Sequence, residues 1–210
     1  MFKNREEAGK KLGERILGYK GTKNMVVLAI PRGGVVVGKE LAQALNCPLD
    51  VLVTKKIGAP GNPELAIGAV GPDGTVVLNQ DLALRTGADK KYLKPQTSNL
   101  KSEVARRIKD FRGDKLPLKL KNKTVILTDD GIATGATIEA SIKWIKNQKP
   151  KKVILAVPVA APDSIAKLAP LVDEVICLDQ PYFFAAVGQF YQSFPQVSDD
   201  KVVQLLAFSG

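Results

Sequence analysis

Val125-Ile126-Leu127-Thr128-Asp129-Asp130-Gly131-Ile132-Ala133-Thr134-Gly135-Ala136-Thr137 is the stretch from which the rest of this 210-residue chain can be read. It opens on an apolar, β-branched run, the pattern of a strand buried on both faces of a sheet. Two adjacent carboxylates end the run, where such a strand leaves the sheet. A Gly/Ala/Thr turn follows, and residues 138–148 have the periodicity of an amphipathic helix. A small-residue turn at a helix N-terminus aims backbone N–H groups at an anion, and the helix dipole favours negative charge there. Thr134 and Thr137 add hydroxyl donors. Asp129 and Asp130 would repel a bare anion, so they need another task, either holding sugar hydroxyls or sharing a magnesium ion. A phosphorylated sugar fits all of these groups. The plainer reading is an ordinary strand–turn–helix connection with exposed aspartates. Against it, two ionised carboxylates at the end of a buried strand repel each other unless a cation or donors stand between them.

Upstream, residues 25–30 form a short apolar run, punctuated by Pro31-Arg32-Gly33-Gly34. Residues 35–45 then read as a helix whose valines lower its propensity, so that packing has to carry it. Residues 49–54 make a second strand. Strand, helix, strand within one short unit predicts parallel pairing and a right-handed crossover. Further buried strands are expected at 153–159 and 174–178, so the fold class is α/β, a doubly wound, mostly parallel sheet. Gly33 to Lys39 matches the first part of a nucleotide P-loop, but Glu40 replaces the Ser/Thr that would hold magnesium.

Lys55 and Lys56 follow the second strand and open a long Gly/Pro loop over 55–63. They are either solvated surface lysines or anion contacts with the loop as part of a lid. Residues 65–70 and 75–78 flank Gly71-Pro72-Asp73-Gly74, the signal of an antiparallel hairpin. A basic amphipathic helix is expected over 98–112, ended by Gly113, with a basic connector over 116–123. Shorter helices are expected at 6–17, at 163–168 and at the end of the chain through 206. Between the last two lies an aromatic tail, with Tyr182, Phe183, Phe184, Phe190, Tyr191 and Phe194.

Composition narrows the function. The chain has no histidine, which excludes His-based triads, His-metal sites and a histidine general base. Cys47 and Cys177 stand singly among apolar residues and read as small hydrophobes of a cytoplasmic protein. No apolar stretch approaches the ~18 to 20 residues that cross a bilayer, and the charged N-terminus lacks the apolar core of a secretory signal. The net charge is +10. From residue 153 onward two lysines face six acids, a net of −4, which leaves +14 on the first 152 residues. Such a surplus is either a solvated face or a site for a polyanion or nucleic acid.

The stretch 125–137 resembles the phosphoribosyl-pyrophosphate signature of type I phosphoribosyltransferases: an apolar run, two acids, then a Thr-Gly-x-Thr loop. Together with Pro-Arg-Gly-Gly at 31–34, Val-Thr-Lys-Lys-Ile-Gly at 53–58 and Phe-Tyr-Gln-Ser-Phe at 190–194, it is similar over most of the chain to a bacterial group of such proteins with no settled substrate. The resemblance implies that Asp129 and Asp130 hold the ribose hydroxyls, and that Gly131, Ile132, Ala133, Thr134, Gly135, Ala136 and Thr137 form the loop that cradles the 5′-phosphate. It implies that Arg32, Gly33 and Gly34 form a pyrophosphate loop, with a cis peptide at Pro31-Arg32, and that Lys55 or Lys56 also faces pyrophosphate. It implies Mg2+ as cofactor, shared by the ligand and, indirectly, Asp129 and Asp130. Asp129, Asp130, Arg32 and Lys56 would be the catalytic set. It implies one domain over 1–210, a small hood from 1–20 and 180–210, and a homodimer. The expected activity is transfer of the 5-phosphoribosyl group to a nitrogenous acceptor, a nucleobase, with release of pyrophosphate. Enzymes of the family that use 6-oxopurines usually carry Asp where Ala133 stands, which argues against such an acceptor. The alternative is a non-catalytic sensor of phosphoribosyl pyrophosphate that binds nucleic acid through the basic portion.

Overall fold

Continuous apolar runs and interrupted ones end up in different sheets. The computed structural model describes residues 1–113 and 119–207, so the part of the expected basic connector at 116–118 lies outside the described residues. The chain runs through α1 (Arg5–Arg15), β1 (Met25–Ala29), α2 (Gly33–Leu45), β2 (Leu49–Val51), β3 (Lys55–Ala59), β4 (Asn62–Val70), β5 (Val76–Leu78), α3 (Gln80–Arg85), α4 (Lys90–Arg112), β6 (Thr124–Thr128), α5 (Ala136–Asn147), β7 (Lys152–Val159), α6 (Pro162–Leu168), β8 (Glu174–Asp179) and α7 (Asp199–Ala207).

The apolar runs form one parallel sheet in the order β2-β1-β6-β7-β8. β1 and β6 are buried along their whole length and divide their side chains between two cores. Val27, Ala29 and Ile126 face the core shared with α1, α2, α4 and α7, whereas Val26, Leu28, Val125 and Leu127 face α5 and α6. Val35, Val36 and Val37 are all buried in the first core, so burial does carry the low-propensity start of α2. The chain leaves β1 toward β2 on one side and β6 lies on the other. The carboxyl ends of β1 and β6 therefore frame the topological switch point, where open α/β sheets bind ligands.

The stretch at 55–63 departs from expectation. It is not a long loop but β3 and the start of β4, joined by a tight turn at Pro60 and Gly61 and continued by β5 into a three-stranded antiparallel sheet. The glycines and prolines serve this hairpin. Its register shifts on both sides of Gly58, and a Cβ there would lie 2.7 Å from the Pro63 carbonyl oxygen. Gly58 is thus the gap into which Pro63 fits. The hairpin at 65–78 forms as expected, and Trp144 Nε1 of α5 donates to Asp73 Oδ1 at 3.0 Å, fixing its turn to that helix.

α4 begins at Lys90 rather than 98, with Pro95 inside it. Its first turns expose Lys90, Lys91 and Lys94, so no apolar stripe marks them. Their signal is the cap, since Asp89 accepts from the Tyr92 N–H at 2.7 Å. α3 is a short helix that no apolar periodicity marks; its cap is Asn79, which accepts from the Leu82 N–H. Among the described residues, no helix is long and apolar enough to cross a membrane.

Candidate functional site

Ala29 and Thr128 are partners in the parallel ladder, so the segments after β1 and β6 leave the sheet side by side, with the Ile30 N–H donating to the Thr128 carbonyl at 3.0 Å. The Pro31-Arg32 peptide is cis. The two glycines that follow are required by contact. A Cβ at Gly33 would fall 1.9 Å from Asp130 Oδ2, and one at Gly34 would fall 2.8 Å from Asp129 Oδ1. The start of α2 and the two carboxylates are therefore packed against each other, which brings together Arg32, Gly33, Gly34, Asp129 and Asp130.

The carboxylates differ in their partners. Asp129 Oδ1 accepts the Asp130 N–H at 2.8 Å. Burial first, and the neighbouring Asp130 carboxylate second, push the Asp129 carboxyl well above the usual carboxylate range. Asp130 is instead ion-paired, with its Oδ2 2.6 Å from Arg5 Nε. Arg5 also donates from Nη1 to the Pro195 carbonyl at 2.7 Å and lies 3.6 Å over the Phe194 ring. The Tyr191 hydroxyl donates to the backbone carbonyl of Asp130 at 2.5 Å. Burial and the Asp130 charge push that phenol upward. Tyr191 and Phe194 belong to the aromatic tail visible in the sequence, but their contacts with Asp130 and Arg5, and Arg5 itself, carry no motif. A signal for Arg5 was present, because it falls on the helical stripe of Ala8, Leu12 and Ile16 and is buried with them.

The loop after Asp130 divides into an anchored part and an outward part. A Cβ at Gly131 would meet Val187 Cγ1 at 2.5 Å. Ile132 is buried, donates to the Val159 carbonyl and accepts from the Ala161 N–H, so it anchors the loop through side chain and backbone alike. The Ala133 carbonyl accepts from Ser164 Oγ at 2.5 Å. Gly135 takes the left-handed conformation at φ 73° as the residue before α5. Ala133, Thr134 and Thr137 are exposed there, beside first-turn N–H groups of α5 that have no partner within the helix.

Lys55 and Lys56 start β3, where successive side chains point to opposite faces. Lys55 Nζ is 2.6 Å from Glu103 Oε1 of α4. This hydrogen bond holds the Glu103 carboxyl below its ordinary range despite partial burial, with Arg106 and Arg107 adding to the effect. Arg32 Nη1 lies 3.7 Å from Asp199 Oδ1 at the start of α7. A cavity of about 470 Å³ between α1, α2 and α7 is lined by Arg5, Val36, Ser198 and Lys201 among others.

Among the described residues, no group of three or more His, Cys, Asp or Glu could hold a metal by itself. Two adjacent carboxylates nevertheless suit magnesium, which keeps several waters and takes one or two carboxylates together with ligand phosphates. Both thiols are free, and burial pushes each up to about 11, so neither is an activated nucleophile.

Comparison with known proteins gives concordant matches. The phosphoribosyl transferase domain family matches residues 2–192. A Mycobacterium tuberculosis protein with a provisional phosphoribosyl transferase name is 43% identical over 206 residues, 98% of this chain and 46% of that protein. The chain therefore spans about half the length of the curated relatives it matches. The crystal structure of TT1426 from Thermus thermophilus is 40% identical, with a TM-score of 0.93 over 100% of this chain and 99% of that one. Over 54 residues, 26% of each chain, the uracil phosphoribosyltransferase of Mycoplasma genitalium is 41% identical.

Proposed function

Because the chain belongs to the phosphoribosyl transferase family, we propose that it transfers the 5-phosphoribosyl group of phosphoribosyl pyrophosphate to a nitrogen of a nucleobase. The observation that carries this reading is the close packing of two elements at the switch point: the Arg32-Gly33-Gly34 turn against Asp129 and Asp130, with the loop at 133–137 beyond them.

In this reading Asp129 and Asp130 accept hydrogen bonds from the ribose hydroxyls. The backbone N–H groups at 133–137, with Thr134 and Thr137, hold the 5′-phosphate at the positive end of α5. Arg32, with Lys55 or Lys56, takes the pyrophosphate. The bond from ribose C1′ to the pyrophosphate oxygen breaks, and the pyrophosphate leaves with the electron pair. The acceptor nitrogen forms the new bond to C1′ and releases its proton to solvent. Charge on the leaving group is neutralised by groups already in place, so the contribution is electrostatic and positional. Magnesium, when bound with the ligand through Asp129 and Asp130, would supply further charge neutralisation on the pyrophosphate.

The terminal segments serve as the hood of this single domain. In support, Phe2 is bridged to Tyr191 through hydrogen bonds with Phe190 and Gln192, and Arg5 and Tyr191 both reach Asp130. The two free thiols support a cytoplasmic setting, and a homodimer rests on the general frequency of twofold assemblies. The site assignment is tested by calorimetry with phosphoribosyl pyrophosphate and magnesium. The double variant Asp129→Asn, Asp130→Asn should lose binding at least a hundredfold while keeping a cooperative melt. Wild-type affinity in the variant would refute the assignment.

A further inference from the structure

The two arginines nearest the start of α7 share one carboxylate. Asp199 Oδ1 lies 3.7 Å from Arg32 Nη1 and 3.2 Å from Arg107 Nη1, and its Oδ2 lies 3.3 Å from the same Arg107 nitrogen. Arg107 belongs to α4, outside every motif that pointed to the sugar-phosphate site. Its guanidinium sits 5.4 Å over the Phe111 ring, which orients it toward α7. One turn earlier on the same helix, Glu103 takes Lys55. α4 thus reaches the proposed pyrophosphate cations at two separate points, Lys55 through Glu103 and Arg32 through Asp199.

At Asp199 itself two guanidiniums share one carboxylate, and Glu103, held by Lys55, is the further acid near Arg107. Arg32 and Arg107 side chains are 32% and 30% exposed and Asp199 is 46% exposed, so water reaches all three and each pair is individually weak. Two planar forks converging on a single oxygen are better satisfied by a phosphate group, which brings more charge and three acceptor oxygens. Ser198 and Lys201, on either side of Asp199 in sequence, line the cavity between α1 and α7, so the first turn of α7 borders open space.

Resting on the phosphoribosyl-pyrophosphate reading above, we propose that Arg107 is a second binding residue for the pyrophosphate group. Asp199 is the carboxylate that holds Arg107 beside Arg32 and that pyrophosphate displaces.

Calorimetry on the full chain with magnesium tests this, titrating inorganic pyrophosphate and ribose 5-phosphate separately. Arg107→Gln should weaken pyrophosphate roughly tenfold, the usual scale for one charge-assisted contact, and leave ribose 5-phosphate within about twofold. Asp199→Asn, which removes the competing charge, should tighten pyrophosphate about threefold, as expected for an exposed ion pair. Retained ribose 5-phosphate binding shows that each variant is folded. Unchanged pyrophosphate affinity in Arg107→Gln, or equal weakening of both ligands, would overturn the assignment of Arg107. Weaker pyrophosphate binding in Asp199→Asn would overturn the displacement. A wild-type chain that binds ribose 5-phosphate but not pyrophosphate sinks this inference alone. One that binds neither sinks the parent reading as well.

Discussion

At Asp129 two requirements oppose each other. The residue ends a strand buried on both faces, and its carboxyl stands beside a second one, so burial and the Asp130 charge both favour its protonated form. A carboxylate that accepts sugar hydroxyls and shares magnesium nevertheless does so best when ionised. Its folded value is raised above its unfolded value, so the cost is absent in acid, where both states are protonated. The cost grows as pH rises above the ordinary carboxylate range, and it is complete once the folded-state group ionises. Asp129→Asn should therefore stabilise the ligand-free protein at neutral pH by about 1 kcal/mol, a size common when a functional charge is neutralised. The gain should shrink toward zero in acid. Melting curves of both proteins across pH measure it; a variant that melts lower at neutral pH, or a gap that ignores pH, would show that Asp129 is not under this strain. At this scale the sequence was informative about the carboxylates, because two adjacent acids at the end of a buried strand repel each other unless a cation or donors stand between them. It was less informative about Arg5, whose place on the apolar stripe is visible only when one asks why a cation interrupts it.

Elements decide which residues from distant parts of the chain can meet. α1 lies close on α2 because Gly9 and Gly13 give it room, a Cβ at either falling 2.9 Å from a side-chain carbon of Glu40 or Ala44. That closeness delivers Arg5 to Asp130, with Phe194 stacked on the guanidinium. Arg5→Met keeps much of the side-chain volume but strands a largely buried carboxylate. It should cost about 3 kcal/mol, within the range for breaking one side of a buried pair. Urea denaturation at neutral pH would read this, and a loss under about half a kcal/mol would mean that the pair behaves as a surface contact. The tail behind this contact splits in two: Tyr191 is buried against Phe2, whereas Tyr182 and Phe183 are 88% and 83% exposed. Aromatic content could not distinguish these fates, since both halves read alike. The hairpin at 55–70 is hidden in the sequence for a related reason. Gly58, Pro60, Gly61 and Pro63 have the composition of a loop, and only the bulged pairing across Gly58 shows that they build a turn between strands.

For the whole molecule, the order of strands matters more than any one of them. The parallel sheet could be read from the apolar runs and the βαβ spacing, and its switch point packs Gly33 and Gly34 against Asp129 and Asp130. The second sheet was half legible, because one of its two hairpins carried a strong turn signal and the other did not. Contacts between termini and core, and the sharing of Asp199 by Arg32 and Arg107, depend on packing between elements far apart in sequence and leave no local pattern. The donor side of the proposed reaction thus rests on motifs, while the acceptor side rests on the hood and on no motif at all. The most direct measurement is release of pyrophosphate by the intact chain from phosphoribosyl pyrophosphate with magnesium, across a panel of nucleobases. Release that depends on a particular base, and that disappears in Asp129→Asn, Asp130→Asn, is the predicted result. Binding of phosphoribosyl pyrophosphate with no release above buffer for any base would contradict the account.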